Sequence, residues 1–233
     1  MTLADSSLPR SGPNVTPPLR LTGRSGSHFT RVTRIVAHEL RVPVELHVLH
    51  DLSSVDVNDY GGHPALKIPT LHVAESPLFG TDNICRKLAD IAGRAADPRV
   101  VLSHQVTSAL VLNAQELVWQ AMAAQVQLVL GVRVGKLPAD SPFFAKALLG
   151  MIGSLTWLDE HLDRVRAALP TPRDFSVFEV TLHCLIEHIN FKPSVPLDRF
   201  STLREFTAEF ATRESSRRTA FGLDPAPSES SCR

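Results

Sequence analysis

Gly62-His63-Pro64-Ala65-Leu66-Lys67-Ile68-Pro69-Thr70-Leu71 is the stretch on which the reading of this 233-residue chain turns. Its core, Lys67 to Leu71, sets a proline directly before Thr70-Leu71-His72-Val73, the pattern of a short strand with proline at its entrance. Proline has no N–H to give to a ladder, so it suits the first position of a strand and marks where pairing begins. An ordinary turn leading into a strand would look the same. The meaning of the segment therefore depends on what surrounds it.

Upstream, Leu19-Arg20-Leu21-Thr22 alternates as a strand and stops at Gly23. From Ser27 onward Phe29, Val32, Val36 and Leu40 recur at helical spacing, with Arg31, Arg34 and Arg41 between them. Pro43 ends that helix, and Val44 to Leu49 reads as a second strand. Downstream, Pro77-Leu78-Phe79 starts a short fourth strand; from Thr81, the residues Ile84, Leu88 and Ile91 mark a helix ending near Gly93. The order is β-α-β, a loop holding a short helix or turn, then β-β-α. It predicts an α/β, thioredoxin-like N-terminal domain over residues 19–95.

After a linker at Arg94-Ala95-Ala96-Asp97-Pro98, residues 99–222 show no strand pattern. Val100 to Val132 and Phe143 to Leu169 are long apolar-periodic stretches, the second closed by Pro170. Ser176-x-x-Glu179 is a capping-box pattern opening a helix to about Ile189, and Leu203 to Thr212 predicts one more. The expectation is an all-α C-terminal helical domain. Residues 1–18 and 223–233, rich in Ser and Pro, read as disordered tails.

Composition narrows the partners. Lys plus Arg is 24 and Asp plus Glu is 24, so no charge excess points to nucleic acid or an anionic membrane. No apolar run approaches the roughly 20 residues needed to span a bilayer. Cys85, Cys184 and Cys232 are far apart, with no CxxC pair and no zinc spacing, so reduced thiols and a cytoplasmic location are expected.

The run Gly62 to Leu71 resembles the Asn-Pro-x-x-Lys-Val/Ile-Pro-Thr-Leu pattern of glutathione S-transferases, with His63 where asparagine is usual. The resemblance implies a cis Pro69 and an Ile68 whose backbone pairs with the cysteinyl unit of glutathione as a short added strand. It places Lys67 on a carboxylate of the same tripeptide. Leu19 to Ile35 resembles the family's opening strand, serine loop and first helix, which makes Ser27 the hydroxyl that stabilises the glutathione thiolate; Ser25 is a second candidate for register. A serine at a helix start is also what any N-cap looks like.

The third motif departs from the family. Aligning Ile84 puts Gly80 where Glu or Gln is usual and Thr81 in the serine position. Thr81, at a helix N-terminus, suits the γ-glutamyl carboxylate. Asp82 either compensates for Gly80 or is a first-turn acid favoured by the helix dipole.

The resemblance implies a transferase conjugating glutathione, as co-substrate, to a small apolar electrophile held by the helical domain, working as a homodimer. Two rivals stand beside it: a non-catalytic transferase-fold binding or regulatory protein, which Gly80 favours, and a glutathione-dependent thiol–disulfide reductase, which a serine rather than a cysteine at position 27 disfavours. Cys184 and His188 lie one helical turn apart but supply too few ligands for a metal site. Cys85 falls inside a predicted helix, where a packed thiol is expected. No GxSxG elbow, phosphate loop or GxGxxG fingerprint occurs.

Overall fold

The computed structural model describes residues 17–74 and 76–225. Residues 1–16 and 226–233, which hold most of both expected tails and Cys232, lie outside the described residues. The N-terminal half comprises β1 (Leu19–Gly23), α1 (His28–Glu39), β2 (Val44–Val48), β3 (Thr70–His72), β4 (Pro77–Phe79) and α2 (Thr81–Ile91). The strands form one sheet in the order β2-β1-β3-β4, with β1 parallel to β2 and β3 antiparallel to both β1 and β4. Val32, Ile35 and Val36 form one fully buried stripe of α1, at the i, i+3, i+4 spacing of a core-facing helix. Ile84 and Leu88 give α2 the same kind of stripe.

A 3-10 turn, Val57–Tyr60, leads toward β3. Gly61 follows it with φ +66°, and a Cβ there would stand 2.7 Å from both His72 Nε2 and Thr22 Oγ1, so only glycine fits. The Tyr60 carbonyl then accepts the Thr70 hydroxyl at 2.9 Å, which ties the loop to the start of β3. The Ile68–Pro69 peptide bond is cis.

The helical half comprises α3 (Ala109–Gln127), α4 (Pro142–Ala168), α5 (Val177–Phe191), α6 (Ser201–Ala211) and α7 (Glu214–Arg218). It differs from the sequence reading at its start. Val100 and Val101 form a two-residue strand, β5, paired in parallel with β6 (Phe175–Ser176), and α3 begins only at Ala109. Two residues are too few to show alternation, and the valines merge with the apolar helix that follows. That helix winds into a π-helical turn at Leu128–Val134. On length and composition Ala109–Val134 is apolar enough to cross a bilayer, more than its interrupted sequence suggests. Its Val111, Ala114, Val118, Ala121 and Met122 face is buried in the core with α4 and α5, the position of a central helix.

The Ser176–Glu179 pattern is a cap, with a variation. Ser176 Oγ accepts from Glu179 N at 3.1 Å and donates to the Glu179 carboxylate at 2.8 Å, and Arg173 grips that carboxylate at 2.8 and 2.9 Å. The two halves are joined along α1. Glu39 takes Arg213 at 2.9 Å through two nitrogens and the Ser215 hydroxyl at 2.5 Å. Burial pushes the Glu39 carboxyl up, but these donors outweigh it and hold it below the usual carboxylate range. Arg31, 2% exposed, donates to the Ser216 carbonyl and hydroxyl from the middle of the same interface.

Candidate functional site

The sheet register brings three loops to one end. Thr22 of β1 is opposite Thr70 of β3, and Thr70 is opposite Phe79 of β4. Because β3 runs against its neighbours, the residues after β1, before β3 and after β4 all leave from the same edge of that row. Strands pack about 4.8 Å apart, so the row is roughly 10 Å across. Ser27, the Lys67 to Pro69 segment and the Thr81–Asp82 pair, far apart in sequence, therefore line one end of the sheet.

Each has a defined local state. Ser27 is the N-cap of α1, half-buried, and its Oγ accepts from Thr30 N at 3.3 Å. The hydroxyl proton is left to donate, at the positive end of the helix dipole. Ser25 differs: its amide N–H, not its hydroxyl, is engaged, by Asp224. Lys67 is exposed, Ile68 half-buried and Pro69 buried. Ile68 lies outside both ladders, and its N–H and C=O have no hydrogen-bond partner among the described residues.

α2 starts after Gly80, which has φ +85° and no side chain to cap the helix. The first amides of α2 are thus left uncapped by a side chain, and Thr81, 7% exposed, stands at the head of the helix. Amides in this arrangement favour an anion. Asp82 pairs through one oxygen with Arg86 at 3.3 Å, while its Oδ1 is buried without a partner among the described residues. Cys85 is completely buried and burial pushes its thiol up, which makes it a packing group. Cys184 is likewise pushed up to about 12 by burial. No group of three or more His, Cys, Asp or Glu side chains is placed to hold a metal among the described residues.

Several groups beside Ser27 carry no sequence signal. Phe29 stacks on Trp119 with centroids 5.9 Å apart, and Phe191 stacks on Phe221 at 5.5 Å. His28 and His188 meet edge to face at 4.3 Å beneath them. Burial drives both imidazoles toward the neutral form, His28 well below its usual value and His188 to about 4. They pack rather than titrate near neutrality. The aromatic pairs come from residues about 90 and 30 positions apart (29 with 119, 191 with 221), which no local pattern links.

A cavity of about 470 Å³ opens at the other end of α1, lined by Glu39, Leu40, Arg41, Arg94, Asp174 and Arg213. It is a charged seam between the halves. The 12 residues of α1 span about 18 Å, so this seam is separate from the Ser27 end.

No protein-family model matches the chain, and no curated protein sequence matches it. Solved structures do match in shape. A glutathione S-transferase from Methylobacillus flagellatus KT, crystallised with GSH bound, is similar with a TM-score of 0.63 at 19% identity, covering 87% of this chain and 98% of that one. A glutathione S-transferase from Methylobacterium radiotolerans JCM 2831, in complex with glutathione sulfonate, gives a TM-score of 0.68 at 16% identity over 91% of this chain and 99% of that one. Glutathione S-transferase III in its apo form gives 0.65 at 18% identity over 91% and 100%. With its four-stranded α/β half, its cis proline ahead of β3 and its helical second half, the chain has the glutathione-transferase fold.

Proposed function

We propose that this chain conjugates glutathione to small apolar electrophiles. The observation that carries the reading is the convergence of Ser27, the unpaired backbone of Ile68 and the uncapped head of α2 at one end of the sheet. The cysteinyl backbone of glutathione would pair with Ile68 N–H and C=O. Thr81 and the first amides of α2 would take the γ-glutamyl carboxylate, and Lys67 the other carboxylate. Ser27 would donate its hydroxyl hydrogen bond to the sulfur, at the head of α1, so that the thiol loses its proton to solvent. The thiolate would then form a C–S bond to the electrophile, either as a leaving group departs with its electron pair or by adding to an activated double bond that then takes up a proton. Phe29 with Trp119, and Phe191 with Phe221, would form the apolar walls for that second substrate.

Isothermal titration with glutathione and with glutathione sulfonate tests the reading. Saturable binding is the expected result, and no heat at millimolar concentration would remove it. A second reading, a transferase-fold protein that binds without catalysing, draws on Gly80, which supplies no side chain to the γ-glutamyl end. Binding without conjugation of any electrophile in a broad panel would favour it. Ser27 in place of a cysteine argues against disulfide reduction.

A homodimer is part of the proposal. Ile91 on α2, Leu112 on α3 and Phe143 and Leu149 on α4 are 45%, 45%, 62% and 69% exposed, an apolar set on both halves that suits a first domain meeting a partner's helices. Sedimentation of a monomer at micromolar concentration would refute this part.

A further inference from the structure

Asp224 lies six residues past the end of α7, next to exposed Leu223 and Pro225, yet its own side chain is only 5% exposed. It turns inward to the loop between β1 and α1. Ser25 N–H points between its two oxygens, at 3.2 Å from Oδ1 and 3.1 Å from Oδ2, and Arg24 Nε stands 3.8 Å from Oδ2. The residues in contact are 199 apart in sequence. The segment leading to Asp224 is anchored as well. Phe221 stacks on Phe191 and meets His188 edge-on at 5.3 Å, with the Arg31 guanidinium 4.4 Å from its ring centre. Between the two anchors the Gly222 carbonyl lies over Gly26, 3.5 Å from where a Cβ would stand.

The loop has few other ties. Ser27 N bonds the Arg24 carbonyl within the turn at 3.2 Å, Arg24 N reaches Thr30 Oγ1 at 3.4 Å, and the Arg24 guanidinium reaches the His50 carbonyl at 2.9 Å. These hold its two ends. At its centre the Gly26 backbone meets the His188 ring of α5, and the Ser25 N–H is held by Asp224, the loop's backbone bond to the C-terminal segment.

We propose that Asp224 is a positioning residue for Ser27: its carboxylate, returned by the C-terminal segment, fixes the loop that carries the thiolate-stabilising hydroxyl. The inference rests on the transferase reading above. The carboxylate acts on the loop in two separable ways. As an acceptor it sets the backbone of Ser25, and with it the direction of Ser27. As a negative charge on the amide of Ser25, two residues before Ser27, it disfavours a second anion there, and Arg24 and Arg34 offset part of that charge.

Three measurements on the full chain separate these effects. In hydrogen exchange, the peptide spanning residues 20–30 should be protected in the wild type, exchange faster at the loop in Asp224→Ala, and regain protection in Asp224→Asn, whose side-chain oxygen still accepts from Ser25 N–H. In kinetics, D224A should lower kcat by about tenfold to a hundredfold, the scale of a misplaced catalytic group, with a smaller change in KM for glutathione. D224N should restore most of kcat and move the pH profile of kcat/KM to lower pH, because removing the charge favours the thiolate. The pH shift reads the charge, and the recovery of loop protection and kcat in D224N over D224A reads the acceptor that positions Ser27. Unchanged loop exchange and unchanged kcat in D224A, in a protein that binds glutathione, overturns the proposal alone. A wild type that binds no glutathione overturns the transferase reading, and the positioning role with it. Circular dichroism of α-helix content guards against misfolding, and the D224N arm decides the matter if D224A unfolds.

Discussion

Replacing Ser27 with alanine separates its two uses, the helix cap and the thiolate donor, because their magnitudes fall on different observables. The cap bond from Thr30 N to Ser27 Oγ is 3.3 Å, past the usual range for such bonds. That places its worth at the low end for a serine cap, about 0.5–1 kcal/mol. At about 2–4 °C per kcal/mol for a chain of this size, Ser27→Ala should lower Tm by roughly 1–4 °C. The other use is larger. A hydrogen bond to a charged group contributes about 1.5–3 kcal/mol, and about 1.4 kcal/mol is one pKa unit, so the bound glutathione thiol should rise by roughly one to two units. At a pH below both values the thiolate fraction, and the conjugation rate, should fall roughly tenfold to a hundredfold. The assay is the ultraviolet absorbance of the bound thiolate across pH, beside initial conjugation rates and a thermal melt. Ser25→Ala is the control, since the Ser25 amide and not its hydroxyl is engaged, and it should leave thiol and rate unchanged. A Ser27→Ala protein with a lowered Tm but the wild-type thiol pKa and rate would reduce Ser27 to a cap and refute the reasoning.

Two further changes probe the other end of the site and the core that supports it. Thr81→Val keeps the shape at the head of α2 but removes the hydroxyl; loss of one hydrogen bond to a carboxylate, about 1.5 kcal/mol, should weaken glutathione binding by roughly tenfold in titration calorimetry, and an unchanged Kd would count against this end as the γ-glutamyl site. Glu179→Ala strands Arg173, 14% exposed, beside the site of a side chain that is 9% exposed, while Arg166 keeps Glu209, so it should cost about 3 kcal/mol, the low end for a broken buried pair, roughly 6–12 °C in Tm. Burial pushes the Glu179 carboxyl up, yet Arg173 and Ser176 hold it below its ordinary value of 4.5. Its folded pKa is thus depressed, and its stabilisation is present above pH 4.5 and lost as pH falls through the lower folded value. Melts at pH 7 should show the full gap between wild type and variant, and melts below pH 4 a shrinking one; a gap independent of pH would refute the ion-pair account.

How much of this was legible in the sequence depended on whether the signal was local. The strand from Thr70, the helix from His28 and the Ser176 cap were readable because each repeats a short physical pattern within a few residues. The Lys67 to Leu71 segment was readable as a strand entrance, and only the register showed that its open backbone faces the loops after β1 and β4. β5 and β6 were not readable, since two residues show no period and their partner lies about 75 positions away in sequence (100 with 175). The same holds for Asp224. A Leu223-Asp224-Pro225 stretch has the composition of a loose end, and nothing nearby announces that its carboxylate meets Ser25 across the whole chain.

Gly80 shows why a missing side chain cannot simply be supplied. Its φ of +85° lies where L residues are strained, and a Cβ there would approach Asn83 Nδ2 to 3.3 Å. The backbone is therefore shaped around glycine, and an acid or amide at position 80 would have to meet that strain. The turn that excludes the side chain also leaves the amides of α2 uncapped and open to an anion. Asp82 then stands as the acid at this end of the sheet, one oxygen on Arg86 and the other buried without a partner among the described residues. On the proposed reading, the partly exposed Asp82 carboxylate would attract the ammonium of a γ-glutamyl group while the helix head takes its carboxylate. In the proposed glutathione site, the polar contact that Gly80 cannot make would thus fall to Asp82, two residues along the chain, and both charges of the ligand's end group would be matched.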